Sequence, residues 1–285
     1  MSIGLKSKKR KTKAFVNDSP VNAQKIDITD IQLPRKFKEC SAVVCNNQIH
    51  ILGDNHHYRL VNGEWVETST IPYPMKYDTA AIWFTNMIYV ICDSTNYYST
   101  YAWENGVWKK EQGSTIDTCH VVYAHIDGGG VIYALGKKET SSYHNFYKYT
   151  GTGWSSLDKI PYDFRNGVAV TYKGAIHVIG SSIEDNSKKH YRWDGTEWRN
   201  TSTLPEAIHY GKAVVYNNKI YAFNEDGKCL IYDGSSWTMG TPIDFGMKYG
   251  SAIVYNDKLY YMGGENSPRT FLEYNSQDKV CGISY

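Results

Sequence analysis

Apolar residues in this chain come in short runs joined by two-residue polar turns, and the phrase strand–turn–strand returns six times. The second turn residue is Asn47, Asn86, Gly130, Gly174, Asn218 and Asp257, at spacings of 39, 44, 44, 44 and 39. Two places later stands Ile49, Ile88, Ile132, Ile176, Ile220 or Leu259, followed by a ring: His50, Tyr89, Tyr133, His177, Tyr221 or Tyr260. A type I′ hairpin turn needs positive φ at both central residues, which Asn, Asp and Gly tolerate best. Asn46-Asn47, Asn217-Asn218 and Asn256-Asp257 therefore predict tight hairpins, while Lys173-Gly174 and Thr85-Asn86 fit at the second position only. In the third copy the first strand is expected at residues 120–123, with residues 124–130 as an enlarged loop.

Each of the first five copies then adds two further strands. An aromatic or aliphatic pair stands seven and five residues before a tryptophan: Tyr58 and Leu60 before Trp65, Tyr101 and Trp103 before Trp108, Tyr147 and Tyr149 before Trp154. Tyr191 and Trp193 precede Trp198 in the same way, and Leu230 and Tyr232 precede Trp237. Spacing by two places each pair on one face of a strand. Pro72, Pro161, Pro205 and Pro242 then mark where the chain leaves the sheet. The sixth copy has no such tryptophan after Leu272 and Tyr274, but residues 26–34 alternate apolar and polar and end in Pro34. They predict a strand that completes the last sheet from the other end of the chain and closes the ring. Residues 280–285 are the rival source of that strand.

A period near 40 residues with strand chemistry inside it predicts an all-β array of the propeller type, here with six blades. The units resemble kelch repeats: Ala213-Val214-Val215-Tyr216-Asn217-Asn218-Lys219-Ile220-Tyr221 followed by spaced aromatics and Trp237 is one such unit, and the likeness spans about residues 26–275. The glycine pair that follows the second strand in kelch repeats survives only as Gly263-Gly264. The resemblance implies a six-bladed kelch-like β-propeller over residues 24–285. The Asn-, Lys-, Tyr- and Ile-rich wording also resembles kelch-like proteins of bacterial viruses, which implies a component of a capsid or tail.

Charge divides the chain in two. Lys6, Lys8, Lys9, Arg10, Lys11 and Lys13 lie in the first 13 residues without an acid among them, so the rest of the chain is net acidic despite the formal +2 of the whole. Residues 1–23 read as a flexible basic arm that orders only against a partner, an acidic protein surface or nucleic acid. No apolar stretch follows the basic N-terminus, so no secretory signal and no membrane span are expected, and an intracellular or particle-bound protein is. The six cysteines show no C-x-x-C spacing and read as buried free thiols.

No catalytic constellation, metal site or cofactor is expected. His56-His57 are adjacent on a strand and point to opposite faces, and His50 and His177 stand where other copies carry Tyr, as packing rings. Copper-radical enzymes on similar propellers need a Tyr–Cys crosslink with two His ligands, for which no matching set is found. The candidate binding residues lie nine places before five of the six turn residues: Lys38, Tyr77, Arg165, His209 and Lys248. Arg165-Asn166-Gly167, His209-Tyr210-Gly211 and Lys248-Tyr249-Gly250 resemble the Arg-x-Gly strand entry with which kelch domains grip acidic peptides. Cations gathered at the channel mouth would attract an acidic partner. The long loops at 136–145 and 180–189 bias that surface toward the third and fourth blades. Phe37, Tyr73, Phe164 and Phe245 either add stacking surface or plug the channel, and the abundance of Tyr and Trp leaves a glycan-binding propeller as the alternative to a protein-binding one.

Overall fold

A computed structural model describes residues 31–72, 75, 80–94, 97–117, 123–126, 131–137, 144–149, 151–181 and 183–274. The basic arm and Tyr77 lie outside the described residues. The strands form six small antiparallel sheets, each an up-and-down meander. Blade 1 is Ser41–Cys45, Gln48–Gly53, His56–Val61 and Glu64–Glu67. Blade 2 is Ala81–Phe84, Met87–Ser94, Tyr97–Glu104 and Val107–Asp117. Blade 3 is Tyr123–Ile126, Ile132–Lys137, His144–Tyr149 and Trp154–Ser156. Blade 4 is Val168–Tyr172, Ala175–Ile179, His190–Trp193 and Trp198–Asn200. Blade 5 is Lys212–Tyr216, Lys219–Phe223, Cys229–Tyr232 and Trp237–Met239, and blade 6 is Ser251–Tyr255, Lys258–Met262 and Phe271–Glu273.

The first strand of each blade touches those of its two neighbours, and the first strand of blade 6 returns to that of blade 1, so the ring is closed. Most of the strand expected at 26–34 falls outside the described residues. Its described end lies on blade 6, where the Leu33 N–H donates to the Arg269 carbonyl at 3.1 Å and Leu33 packs with Ile253, Met262 and Phe271. Three hairpins turn as their residue types demand, and two more turn the same way. Asn46, Asn47, Asn217, Asn218, Asn256 and Asp257 all have φ between 47 and 58°. Thr85 and Lys173 adopt the same left-handed backbone at φ 47 and 49°, so pairing register there overrides a poor residue preference.

Two strands differ from expectation. The first strand of blade 3 runs Tyr123–Ile126 rather than 120–123, because Ile126 pairs with Ile132 and Tyr123 with Leu135. The connection is therefore 127–131. In blade 2 the fourth strand continues to Asp117, since Thr115 stands where three other copies carry the strand-ending proline.

The core is divided among the seams between blades. Six hydrophobic clusters occur among the described residues, and each joins one blade to the next. Tyr172 and Val170 of blade 4 meet Leu230 and Trp237 of blade 5, and Tyr133 and Phe146 of blade 3 meet Trp193 of blade 4. The repeated rings are thus the apolar contents of the wedges, each burying on the order of 150–250 Å². Cys40, Cys45 and Cys229 are free and buried there, and burial pushes the Cys40 and Cys229 thiols up to about 12.

Candidate functional site: the strand-entry face

Meander topology puts the connections into each first strand, and the loops between second and third strands, on one face of the ring. The entry segment has a recurring grammar. The residue before each candidate cation is an anchor, and Phe37, Phe164, Ile208 and Met247 are all fully buried. The residue after it turns left-handed in three blades, with φ of 49° at Asn166, 50° at Tyr210 and 60° at Tyr249. Such backbone is uncommon for a bulky aromatic and is held in place by its surroundings. Next comes a glycine where the chain passes hard against the end of the second strand: a Cβ on Gly211 would sit 1.7 Å from the Phe223 carbonyl oxygen.

These turned residues link blade to blade. The Tyr210 N–H donates to the Asn166 carbonyl (2.6 Å), the Tyr249 N–H to the Tyr210 carbonyl (3.3 Å), and the Cys40 N–H to the Tyr249 carbonyl (3.0 Å). A backbone chain therefore runs from blade 4 through 5 and 6 to blade 1 around the mouth. It fixes where the flanking side chains can stand.

Lys38, Arg165, His209 and Lys248 all lie on this face, but three of the four are already partnered by acids. Arg165 lays its guanidinium fork on Asp163, Nε to Oδ1 at 2.9 Å and Nη2 to Oδ2 at 2.8 Å. Lys248 Nζ meets Glu265 Oε2 at 2.9 Å and stands 5.4 and 5.1 Å from the ring centres of Tyr210 and Tyr249; its hydrogen bond to Glu265 raises its pKa. His209 Nδ1 lies 3.0 Å from Glu225 Oε1, close but poorly aligned for a hydrogen bond. Lys38 is exposed. Nearby, Arg35 approaches Asp54 at 4.0 Å. The mouth is consequently a ring of mixed charge rather than a cluster of free cations. Partly exposed pairs of this kind are worth about 0–1 kcal/mol each, so a partner can exchange them at little cost.

The sequence reading missed the acids. Glu225 and Glu265 follow the second strands of blades 5 and 6, in or beside the place of the kelch glycine pair. An acid there, on the same face as the entry cation, was the available signal.

Beside the mouth, a cleft of about 730 Å³ opens between the 3₁₀ turn Glu184–Asn186 of blade 4 and the connection into blade 5, lined by Glu184, Asp185, Lys188, Lys189, His190 and His209. The long loop at 180–189 thus borders a cleft on this face. Two of the candidate stacking rings cannot serve, since Phe37 and Phe164 are fully buried. Phe245 packs partly buried against the seam of blades 5 and 6, and Tyr73 lies outside the described residues.

The packing histidines form pairs, which sequence reading did not anticipate. His50 Nδ1 lies 2.8 Å from His57 Nε2, and His177 Nδ1 lies 2.8 Å from His190 Nε2, all four rings being buried. The Trp237 Nε1–H, which can only donate, reaches His190 Nδ1 at 3.1 Å. That fixes the direction of the chain: His190 then donates from Nε2 to His177 Nδ1. Burial lowers the pKa of every one of these histidines, and Arg59 or Arg192 adds to the effect on three of them. They are neutral structural groups at neutral pH. The described residues contain no group of three side chains suited to hold a metal ion, and no helix long and apolar enough to cross a membrane.

Comparison with known proteins adds the architecture and nothing finer. No family model matches the chain, and no curated protein does. Among solved structures it resembles one titled "Structure of YjhT", with a TM-score of 0.70 and 13% identity over 89% of this chain and 99% of that one. At that identity the likeness shows a shared six-bladed β-propeller fold alone.

Proposed function

We propose that this propeller is a non-catalytic binding platform that grips a protein partner at its strand-entry face and is held in a larger assembly by its basic arm. The observation that carries the reading is the backbone chain through Asn166, Tyr210, Tyr249 and Cys40, which presents exchangeable ion pairs from a rigid rim. Paying little to open those pairs, the rim suits an acidic segment that takes Arg165 from Asp163 and Lys248 from Glu265. The arm's six cations supply the tether, and the likeness in style to proteins of bacterial viruses supports a capsid or tail as the assembly. The buried, neutral histidines support a scaffold rather than an enzyme.

The test is affinity for the protein that co-purifies with the intact chain. Arg165→Ala and Lys248→Ala should each weaken it about tenfold, the loss of one charge-assisted contact. Unchanged affinity in both would remove the mouth as the binding surface. Truncation before residue 24 should abolish incorporation into the assembly while leaving that affinity intact.

A further inference from the structure

The seam between blades 4 and 5 also opens toward the opposite face, where the hairpin turns lie. A cleft of about 440 Å³ there is lined by Lys173, His177, Arg192, Thr201, Ser202 and Ser235 among others. Its lining holds two cations and no carboxylate. Asp233, next in the chain to the cleft, is turned into its own tight turn, its Oδ1 accepting from the Ser235 N–H at 2.7 Å and the Ser236 N–H at 2.9 Å.

The cations are placed at odds with the sheet. Arg192 stands directly opposite His177 on one side and Arg199 on the other, in a cross-strand row. Like charges so placed repel. Arg199 is neutralised by Asp194 at 2.9 Å and Glu197 at 2.6 Å, whereas Arg192 makes no ion pair among the described residues. Lys173 likewise has no acid and rests 5.0 Å from the Tyr172 ring centre. Ser202 Oγ is buried beside the Tyr232 hydroxyl without a well-formed hydrogen bond. A guanidinium, an ammonium group and a buried hydroxyl thus line one cleft.

We propose that this cleft is an oxyanion site that takes a phosphate group, free or as the ester of a small metabolite. Arg192 supplies a two-pronged grip, Lys173 the opposing charge and Ser202 a hydroxyl donor. The inference is independent of the strand-entry reading, since the two sites lie on opposite faces.

The experiment is titration of the full chain with inorganic phosphate and with ribose 5-phosphate at low salt, read by calorimetry and by thermal melting. Saturable binding that raises the melting temperature is expected, and the tighter of the two ligands identifies the ion or its ester as occupant. Arg192→Gln and Lys173→Gln should each weaken binding at least tenfold, while Arg199→Gln, whose cation is already paired, stays within about twofold of the native affinity. Arg192 and Lys173 are exposed, so both variants should melt without ligand as the native chain does. No saturable binding of either ligand, or native affinity in both Arg192→Gln and Lys173→Gln, overturns the proposal.

Discussion

The seam between blades 1 and 2 and the seam between blades 4 and 5, half a turn apart in the ring, are built from one plan and finished differently. His57-Tyr58-Arg59 and His190-Tyr191-Arg192 occupy the same strand, and Thr68-Ser69 and Thr201-Ser202 follow at the same distance. Each threonine hydroxyl returns to the carbonyl of its histidine, at 3.1 and 2.8 Å. In the second seam both ring nitrogens of His190 have a partner along the wire, Trp237 on one side and His177 on the other. In the first, His57 Nδ1 and Trp108 Nε1 are both buried without a hydrogen bond, and the neighbouring Trp103 gives its N–H to Ser69 at 3.0 Å instead. A buried polar network is costly until its last member is satisfied. The comparison therefore predicts that one seam gains stability from its histidines and the other only tolerates them.

Acid should break both seams, and by the largest amount. The four histidines have folded pKa values held below the ordinary 6.5, so the unfolded chain binds more protons than the folded one as pH falls past that value. Stability is complete above about pH 6.5 and drops below it by up to about 1.4 kcal/mol per pH unit per histidine. Between pH 6.5 and 5 each histidine costs about 2 kcal/mol on this arithmetic, a large share of a typical 5–15 kcal/mol for the four together. Urea midpoints measured from pH 7.5 to 5 check this, and a flat profile would show that the rings are not neutral in the folded state.

Removing one ring separates the seams. His190→Leu orphans both the Trp237 N–H and His177 Nδ1, which at about 1–3 kcal/mol each amounts to roughly 4 kcal/mol. His57→Leu orphans His50 Nδ1 alone and should cost about half as much, because its other nitrogen has no partner to strand. Equilibrium unfolding at pH 7.5 reads the difference, and equal losses would mean that the two wires are equivalent. A finer cut touches only the tryptophans. Trp237→Phe leaves His190 Nδ1 unpaired and should cost about 1–3 kcal/mol, whereas Trp108→Phe removes a donor that has no acceptor and should be close to neutral.

How far the sequence could be read follows from the kind of signal each feature leaves. Blades, hairpins and seam rings were legible because period-two alternation and Asn-Asn or Asn-Asp turns are local, and each is repeated often enough to average out exceptions such as Thr85. The sixth copy without its tryptophan pointed to a strand from the other end of the chain, of which only the end at Leu33 is described on blade 6. The histidine pairs were not legible, although His177 and His190 are 13 residues apart and His50 and His57 seven, because the partner nitrogen lies across a strand pair whose loop length differs between blades. The charges at the mouth were half legible. Lys248 and Arg165 could be placed on the right face by spacing, but their neutralising acids Glu265 and Asp163 stand 17 residues after and two before, distances that mean nothing until the fold is drawn.

The smallest effect bears on whether Lys173 stands where it does for the sake of the fold. The matching turn residue in blade 1 is Asn46, at φ 48°, a residue type at ease in left-handed backbone, while Lys173 is forced into φ 49°. Lys173→Asn should therefore stabilise the chain by about 0.5 kcal/mol, and Asn46→Lys should destabilise it by a similar amount. Nothing apolar is lost in either change, since Asn46 and Lys173 are both exposed. If Lys173→Asn melts higher than the native chain, the lysine costs the hairpin something that its cation–π contact with Tyr172 does not return, and its presence is better explained by the oxyanion cleft it borders. If it melts lower, the ring of Tyr172 is the reason for the lysine, and the two blades differ in turn chemistry for packing alone.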